Sequence, residues 1–233
     1  MNLKQANILL TGGSSGIGKA TAQLLIESGA NVAITGRDKD KLEKTASEIG
    51  AFAIAADVAN PADIASTYDQ FLHKFGKLDC LINNAGVGEF SLIEEVTLEA
   101  FQRIYSVNVF GAALMAQKAA ELFKKQNYGH IINIASTAAL KGFARGTIYS
   151  SSKFALRGMT ECWQQELRRY NVRVMLVNPS EVTTAFASPE RAERPEEAKK
   201  LRSQEIAHVI KSVLELNDRG FTPEITVWAT NPF

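Results

Sequence analysis

The 233-residue sequence predicts an α/β fold: one doubly wound parallel sheet of about seven strands with helices on both faces. Three observations predict it. Short apolar runs alternate with segments of helical spacing throughout the chain. The runs are continuously apolar rather than alternating, as strands covered on both faces require. Each run also stops at glycine or at a polar residue, and in such sheets ligands bind beyond the carboxyl ends of the strands. The length suits a single domain spanning 1–233, and no repeat or linker interrupts it.

Residues 6–11 form the first apolar run, which ends in Gly12-Gly13-Ser14-Ser15-Gly16-Ile17-Gly18. Residues 19–28 then place Ala22, Leu25 and Ile26 at helical spacing before Gly29. Residues 31–35 are a second strand, followed by Gly36-Arg37, and Asp38 caps a helix over 39–49. A third strand, 51–56, ends at Asp57-Val58. Asn60-Pro61 then supplies an N-cap and a first helical residue for a helix to 75. Residues 78–82 lead into Asn83-Asn84-Ala85-Gly86. Thr97 caps one long helix to 125, with Glu99 in its first turn. Residues 130–135 end at Ser136, and a helix carrying Tyr149 and Lys153 runs to 170. Residues 172–177 end at Asn178-Pro179, Ser203 caps a helix to 216, and 224–228 is the last strand. Residues 188–202 are charged and proline-punctuated, so 181–202 is expected to be a mobile loop beside the substrate.

Composition excludes several classes of function. Hydrophobic residues make up 45% and charged residues 22%, which is globular. A net charge of +1 gives no global field for nucleic acid or an anionic membrane. No apolar run approaches a membrane span, and 1–10 has no signal-peptide layout. Cys80 and Cys162 lack metal-ligand spacing, so no metal site is expected and both read as reduced thiols. A cytoplasmic compartment is the expectation.

Strand, glycine loop, helix is the layout that aims free backbone N–H groups at a phosphate. Gly13 to Lys19 nearly matches a nucleoside triphosphate loop, but position 20 is Ala20 where a magnesium-binding hydroxyl is needed, and Thr21 is one residue late. The other reading is Thr11-Gly12-x-x-x-Gly16-x-Gly18, in which glycines make the turn, admit a pyrophosphate and let helix pack on strand. Further on, Tyr149-x-x-x-Lys153 puts a phenol and an ammonium on one helix face. A nearby cation in a partly dry pocket favours the phenolate, so the pair could pass protons near neutral pH. Alone it decides nothing, because chance supplies the pattern in about a third to a half of chains this long.

Together these motifs resemble the short-chain dehydrogenase/reductase family over nearly the whole chain. The family's Thr-Gly-x-x-x-Gly-x-Gly is Thr11 to Gly18, its Asn-Asn-Ala-Gly is Asn83 to Gly86, and its helix asparagine is Asn108. Its serine is Ser136, thirteen residues before Tyr149, and its Tyr-x-x-x-Lys ends at Lys153. The order and spacing remove the triphosphate-loop reading. The resemblance implies a Rossmann-type fold and hydride transfer between a nicotinamide and a carbonyl or alcohol carbon.

Residue by residue, the resemblance implies that Tyr149 gives or takes the proton. Lys153 holds the nicotinamide ribose and depresses the phenol's pKa. Ser136 hydrogen-bonds the substrate oxygen, and Asn108 holds a water that links Lys153 to solvent. Gly12, Ser14, Ser15, Gly16, Ile17 and Gly18 meet the phosphates. Asp57 and Val58 meet the adenine, and Asn84, Ala85 and Gly86 line the inner half. Val182 and Thr184 hold the carboxamide. Gly36 followed by Arg37, with Asp38 taken up as a helix cap, favours NADP(H) over NAD.

One departure is Pro179-Ser180 where the family usually has Pro-Gly; serine fits if its φ is negative. The expected substrate walls are 87–95, 137–146 and 181–202, with Phe90, Leu140, Phe143 and Phe186 apolar and Glu89, Glu181, Lys141 and Arg145 charged. The family includes reductases of 3-oxoacyl thioesters on acyl carrier protein. Lys124, Lys125, Arg168 and Arg169 are candidates for a basic rim facing such a carrier. The competing readings are an alcohol, sugar or steroid dehydrogenase working oxidatively, and an idle NADP-binding sensor. The resemblance also implies a homodimer or homotetramer packed through the Thr97 and Tyr149 helices. Ala112, Ala113, Ala116, Ala119 and Ala120 would allow close approach there.

Overall fold

Apolar runs joined by amphipathic helices leave strands no solvent face, and the chain folds accordingly. The computed structural model describes residues 1–187 and 194–231. Its strands are β1 (Asn7–Leu10), β2 (Asn31–Gly36), β3 (Phe52–Ala55), β4 (Cys80–Asn83), β5 (Gly129–Ile134), β6 (Val172–Pro179) and β7 (Glu224–Val227). All pair in parallel, in the order β3-β2-β1-β4-β5-β6-β7. Leu9 of β1 stands between Ala33 of β2 and Leu81 of β4. The winding reverses between β1 and β4, and a crevice opens there beyond the carboxyl ends.

The period of two divides each strand between two cores. Ile8 and Leu10 pack with Leu25, Leu42 and Ile206 beneath α1 (Gly16–Glu27), α2 (Lys39–Ile49) and α7 (Ser203–Glu215). Leu9 packs the other way, with Phe71, Phe123 and Leu167 of α3 (Pro61–Phe75), α5 (Ala112–Gln126) and α6 (Thr147–Leu167). Each such side chain contributes about 1.5–3 kcal/mol by leaving water.

Three caps form as the sequence predicts. Asp38 accepts from Lys41 N–H at 3.0 Å, Asn60 from Ala62 N–H at 3.0 Å and Thr97 from Ala100 N–H at 3.1 Å. The fourth differs. Ser203 is the first helical residue of α7, and Arg202 is the cap position, its N–H donating to Glu205 Oε2 at 2.6 Å. The Glu205 carboxylate reaches back to the Arg202 N–H, so the helix starts one residue earlier than a Ser203 cap would set it.

The helix expected over 97–125 is also interrupted. α4 (Leu98–Tyr105) widens into a π-helical segment, Ser106–Gly111, before α5 begins. Such widenings accompany functional positions, and this one holds Asn108, which is buried. Of the expected mobile loop 181–202, residues 188–193 lie outside the described residues. Its base is pinned by a parallel bridge between Val182 and Leu201, with Thr183 N–H donating to Leu201 O at 2.9 Å.

Candidate active site

The glycine loop follows β1 because only glycine fits its two closest approaches to other backbone. Gly12 has φ of +69°, and a Cβ there would lie 2.8 Å from Ala85 Cα. A Cβ on Gly18 would meet the Gly12 carbonyl oxygen at 2.2 Å. Thr11 and Asn84 lock the loop to the end of β4. Thr11 Oγ1 accepts from Asn84 N–H at 3.1 Å and Ala85 N–H at 3.0 Å. Asn84 Nδ2 donates to the Thr11 and Gly12 carbonyls at 3.0 and 2.9 Å. α1 begins at Gly16, earlier than the sequence predicts, so Gly16, Ile17 and Gly18 form its first turn. The N–H groups there have no intrahelical partner, and no side chain caps them. This is an anion cradle. Lys19, the lysine of the rejected triphosphate reading, is instead paired with Glu48 at 2.6 Å.

A cavity of about 840 Å³ runs from this loop across the ends of β4, β5 and β6. It brings together Gly12, Ser14, Ser15, Gly16, Ile17, Gly18, Asn84, Ala85, Gly86, Ser136, Tyr149, Lys153, Val182 and Thr184. Tyr149, 8% exposed, lies in the first turn of α6 between Phe90 and Phe186, with ring centroids 5.4 and 5.6 Å away. Burial pushes its phenol up to about 12, against a hydrogen bond with Ser136 that pulls it down. Ser136 Oγ also accepts from Ala138 N–H at 3.1 Å. Lys153 is 4% exposed and donates to the Ile134 carbonyl at 3.0 Å, and burial lowers its ammonium to about 8.

In this geometry the largest influence on the phenol is burial rather than the Lys153 ammonium. The ammonium points to a backbone carbonyl and lies 5.8 Å from the Tyr149 ring centroid, so desolvation dominates. The phenol is therefore protonated at neutral pH.

Four of the expected catalytic and cofactor-binding residues stand outside the cavity wall, as do Glu89, Leu140 and Arg145 of the expected substrate walls. The side chain of Asn108 is committed elsewhere: Nδ2 donates to Val87 O at 2.9 Å and Ser152 Oγ at 3.0 Å, and Oδ1 accepts from Val87 N–H at 2.9 Å. It ties the segment after Gly86 to α6. Asp57 Oδ1 accepts from Ala59 N–H at 2.9 Å within its own turn, and Val58 is buried in the α3, α5 and α6 core. Arg37 is exposed after β2, with no hydrogen bond or ion pair among the described residues.

The family's sequence pattern, described as short chain dehydrogenase, matches residues 6–195. The chain belongs to the short-chain dehydrogenase family. Its sequence is 34% identical over 222 residues to an uncharacterized oxidoreductase of Staphylococcus aureus, covering 94% of this chain and 95% of that one. An alcohol dehydrogenase of the archaeon Thermococcus sibiricus, solved with 5-hydroxy-NADP, superposes with a TM-score of 0.90 at 27% identity, covering 97% of each chain. A 3-ketoacyl-(acyl-carrier-protein) reductase of Brucella melitensis, solved with NADH, superposes at 0.88 with 30% identity, covering 99% of this chain and 100% of that one.

Trp228, a wall residue of this short-chain dehydrogenase, escaped sequence reasoning: it lines the cavity from the end of β7, where position 228 reads only as the last residue of an apolar strand. Arg194 lines it from within the expected wall 181–202. Ser180 behaves as expected: its φ is not positive, and its N–H donates to Val227 O at 2.8 Å. The four basic candidates for a carrier rim do not border the cavity. Lys124 and Lys125 end α5 just before β5, and Arg168 and Arg169 precede β6, so all four sit at the amino ends of the strands. Lys124 and Arg169 both face the Tyr170 ring there, at 5.5 and 5.0 Å.

Proposed function

We propose that this chain is an NADP(H)-dependent carbonyl reductase. The observation that carries the reading is a buried, protonated phenol, hydrogen-bonded to Ser136 and beside Lys153, in the same cavity as the glycine loop. When bound, a nicotinamide supplies hydride. Tyr149 gives its proton to the alkoxide oxygen that develops. Ser136 hydrogen-bonds the same oxygen from the other side. Lys153 holds the ribose hydroxyls and restores charge balance as the phenol loses its proton. Asn108 positions Val87 and α6 around them. At neutral pH the phenol is in its protonated form, the form that carbonyl reduction consumes.

The cradle fits a dinucleotide, since Gly12 and Gly18 leave no room for side chains and the first turn of α1 is uncapped. Gly12, Ser14, Ser15, Gly16, Ile17 and Gly18 would hold the pyrophosphate, and Asn84, Ala85 and Gly86 the inner half. Val182 and Thr184 would hold the carboxamide, and Asp57 and Val58 would reach the adenine through their backbone. Free Arg37 supports a 2′-phosphate, because Asp38 is spent on its helix cap.

The 3-oxoacyl thioester remains a second reading, favoured by the likeness to the Brucella melitensis reductase, although the expected basic rim does not support it. A dimer through α5 and α6 is also part of the reading. A groove of about 330 Å³ between them is lined by Ala113, Ala120, Met159 and Trp163. Ala112 and Ala119 are buried in the chain's own core, and Ala116, also buried, forms part of the groove floor. Light scattering that returned a monomer would remove the dimer.

The deciding experiment assays the protein with NADPH against ketones and 3-oxoacyl thioesters. Tyr149→Phe is expected to lower kcat about 10²–10⁴-fold while cofactor affinity holds. An unchanged kcat would end this mechanism, and NADPH binding without turnover of any carbonyl would leave the idle sensor.

A further inference from the structure

Trp228 stands on the one strand to which the proposed mechanism gives no part. It follows β7, lines the cavity and is 65% exposed. The strand period gives its direction. Ile225, Val227 and Ala229 pack towards α1 and α7, whereas Glu224 meets Arg157 of α6 at 3.1 Å. Trp228 shares the parity of Glu224 and projects to the α6 side, the side of Tyr149.

Its position along the sheet is equally informative. Neighbouring strands lie about 4.8 Å apart. From Ser136 at the end of β5, the glycine loop is two strands away through β4 and β1. Trp228 is two strands the other way through β6 and β7, about 10 Å from Ser136. It therefore lies beyond the reacting atoms from the phosphate cradle, where the substrate's remaining surface must go.

Residues 224–229 are held in place by specific contacts. Asn178 Nδ2 donates to Glu224 Oε1 at 2.6 Å, and Ser180 N–H donates to Val227 O at 2.8 Å. Ala229 N–H then donates to Ser180 Oγ at 3.3 Å. That last rung needs a side chain at position 180, and glycine would supply no acceptor.

The reacting end carries three further aromatic residues, beside Thr137, Lys141 and Glu181 of the same wall. Phe90 and Phe186 flank the phenol, and Phe143, half exposed, lies 5.9 Å from Phe90. The ionic groups of the neighbouring loop pair with one another: Glu181 with Arg194 and Lys200, and Arg194 with Glu197 at 2.7 Å.

We infer that the site takes ketones bearing an aromatic or comparably bulky apolar group, with Trp228 as the wall that group packs on and Ser180 as the residue that positions the wall. The inference rests on the carbonyl-reductase reading and names its substrate class.

Two measurements test it. The chain has two tryptophans, so Trp163→Phe leaves Trp228 as the only indole. With oxidised cofactor present no hydride is available, and titrating acetophenone reads binding alone. Saturable change in Trp228 emission is expected. In NADPH-driven turnover, Trp228→Ala should raise KM for acetophenone about tenfold, with kcat and the KM for 2-butanone moving less than about twofold. Ser180→Gly should give the same split at about threefold, and Ser180→Thr, which keeps the hydroxyl, should restore it. Emission indifferent to acetophenone, or equal KM changes for both ketones, overturns the inference. The two readings fail separately: emission that responds without turnover of any ketone removes the reductase reading and leaves the wall. Turnover that depends on Tyr149 but is insensitive to Trp228 does the reverse.

Discussion

Two buried cations sit at opposite ends of one sheet, and they are treated differently. Arg173, at the amino end in β6, is 5% exposed and saturated. Its Nε donates to His130 Nδ1 at 3.1 Å, and Nη1 donates to the carbonyls of Leu216 and Gly220 at 3.1 and 3.0 Å. Nη2 donates to Leu214 O at 3.0 Å and faces Asp218 at 3.3 Å. It fastens the C-terminal turn of α7, sharing the Leu214 and Leu216 carbonyls with the Met1 ammonium. Lys153, at the carboxyl end, is buried as deeply, yet among the described residues it donates only to Ile134 O. An ammonium has three donors. A saturated buried cation is a fastener, whereas one with spare donors and a lowered pKa is available for chemistry.

The sharpest break of that comparison is a pair of methionine substitutions. Arg173→Met removes a buried charge that its partners depend on, and should lower unfolding free energy by about 3–5 kcal/mol in urea titrations. Lys153→Met removes an under-satisfied charge and should be neutral or stabilising by up to ~1 kcal/mol, with turnover lost. Equal losses of stability would erase the distinction.

The pH dependence of stability separates the two ends next. Burial first, then Arg173, holds His130 down to about 2, so it stays neutral in the fold while the unfolded chain takes up a proton below ~6.5. Stability should therefore fall as pH drops below ~6.5, by up to ~1.4 kcal/mol per pH unit from this group, and His130→Gln should flatten that slope. Lys153, lowered to about 8, acts in another window. Between pH 8 and its unfolded value near ~10.4 the unfolded chain binds more protons, so stability should rise with pH there, and Lys153→Met should abolish the rise.

The smallest expected effect concerns the exposed cation. Arg37 has no partner among the described residues, so by the same logic it has spare capacity. Arg37→Ala should weaken NADPH about tenfold in equilibrium titrations and leave NADH unchanged. Equal weakening of both cofactors would show that Arg37 does not read the phosphate.

Local chemistry was legible in proportion to its locality. Asp38, Asn60 and Thr97 each find their acceptor role within three residues, so spacing alone predicted the caps. The glycine loop was legible for the same reason. Asn108 was not, because its partners Val87 and Ser152 lie 21 and 44 residues away. The five alanines expected at a dimer face share a helical stripe, but burial divides them between core and groove. The four basic residues looked like a rim until the strand directions put them at the other end of the sheet.

By itself, the sequence determined the parallel α/β architecture, the phosphate cradle, and the identities of Ser136, Tyr149 and Lys153. Apolar periodicity and motif spacing are short-range properties of the chain. Only the tertiary structure decided that desolvation outweighs Lys153 at the phenol, that Asn108 braces Val87 and α6, and that Ser180 sets Trp228 against the cavity. Those outcomes depend on what is excluded from water and on which distant strands become neighbours, and burial and long-range pairing exist only once the sheet has closed.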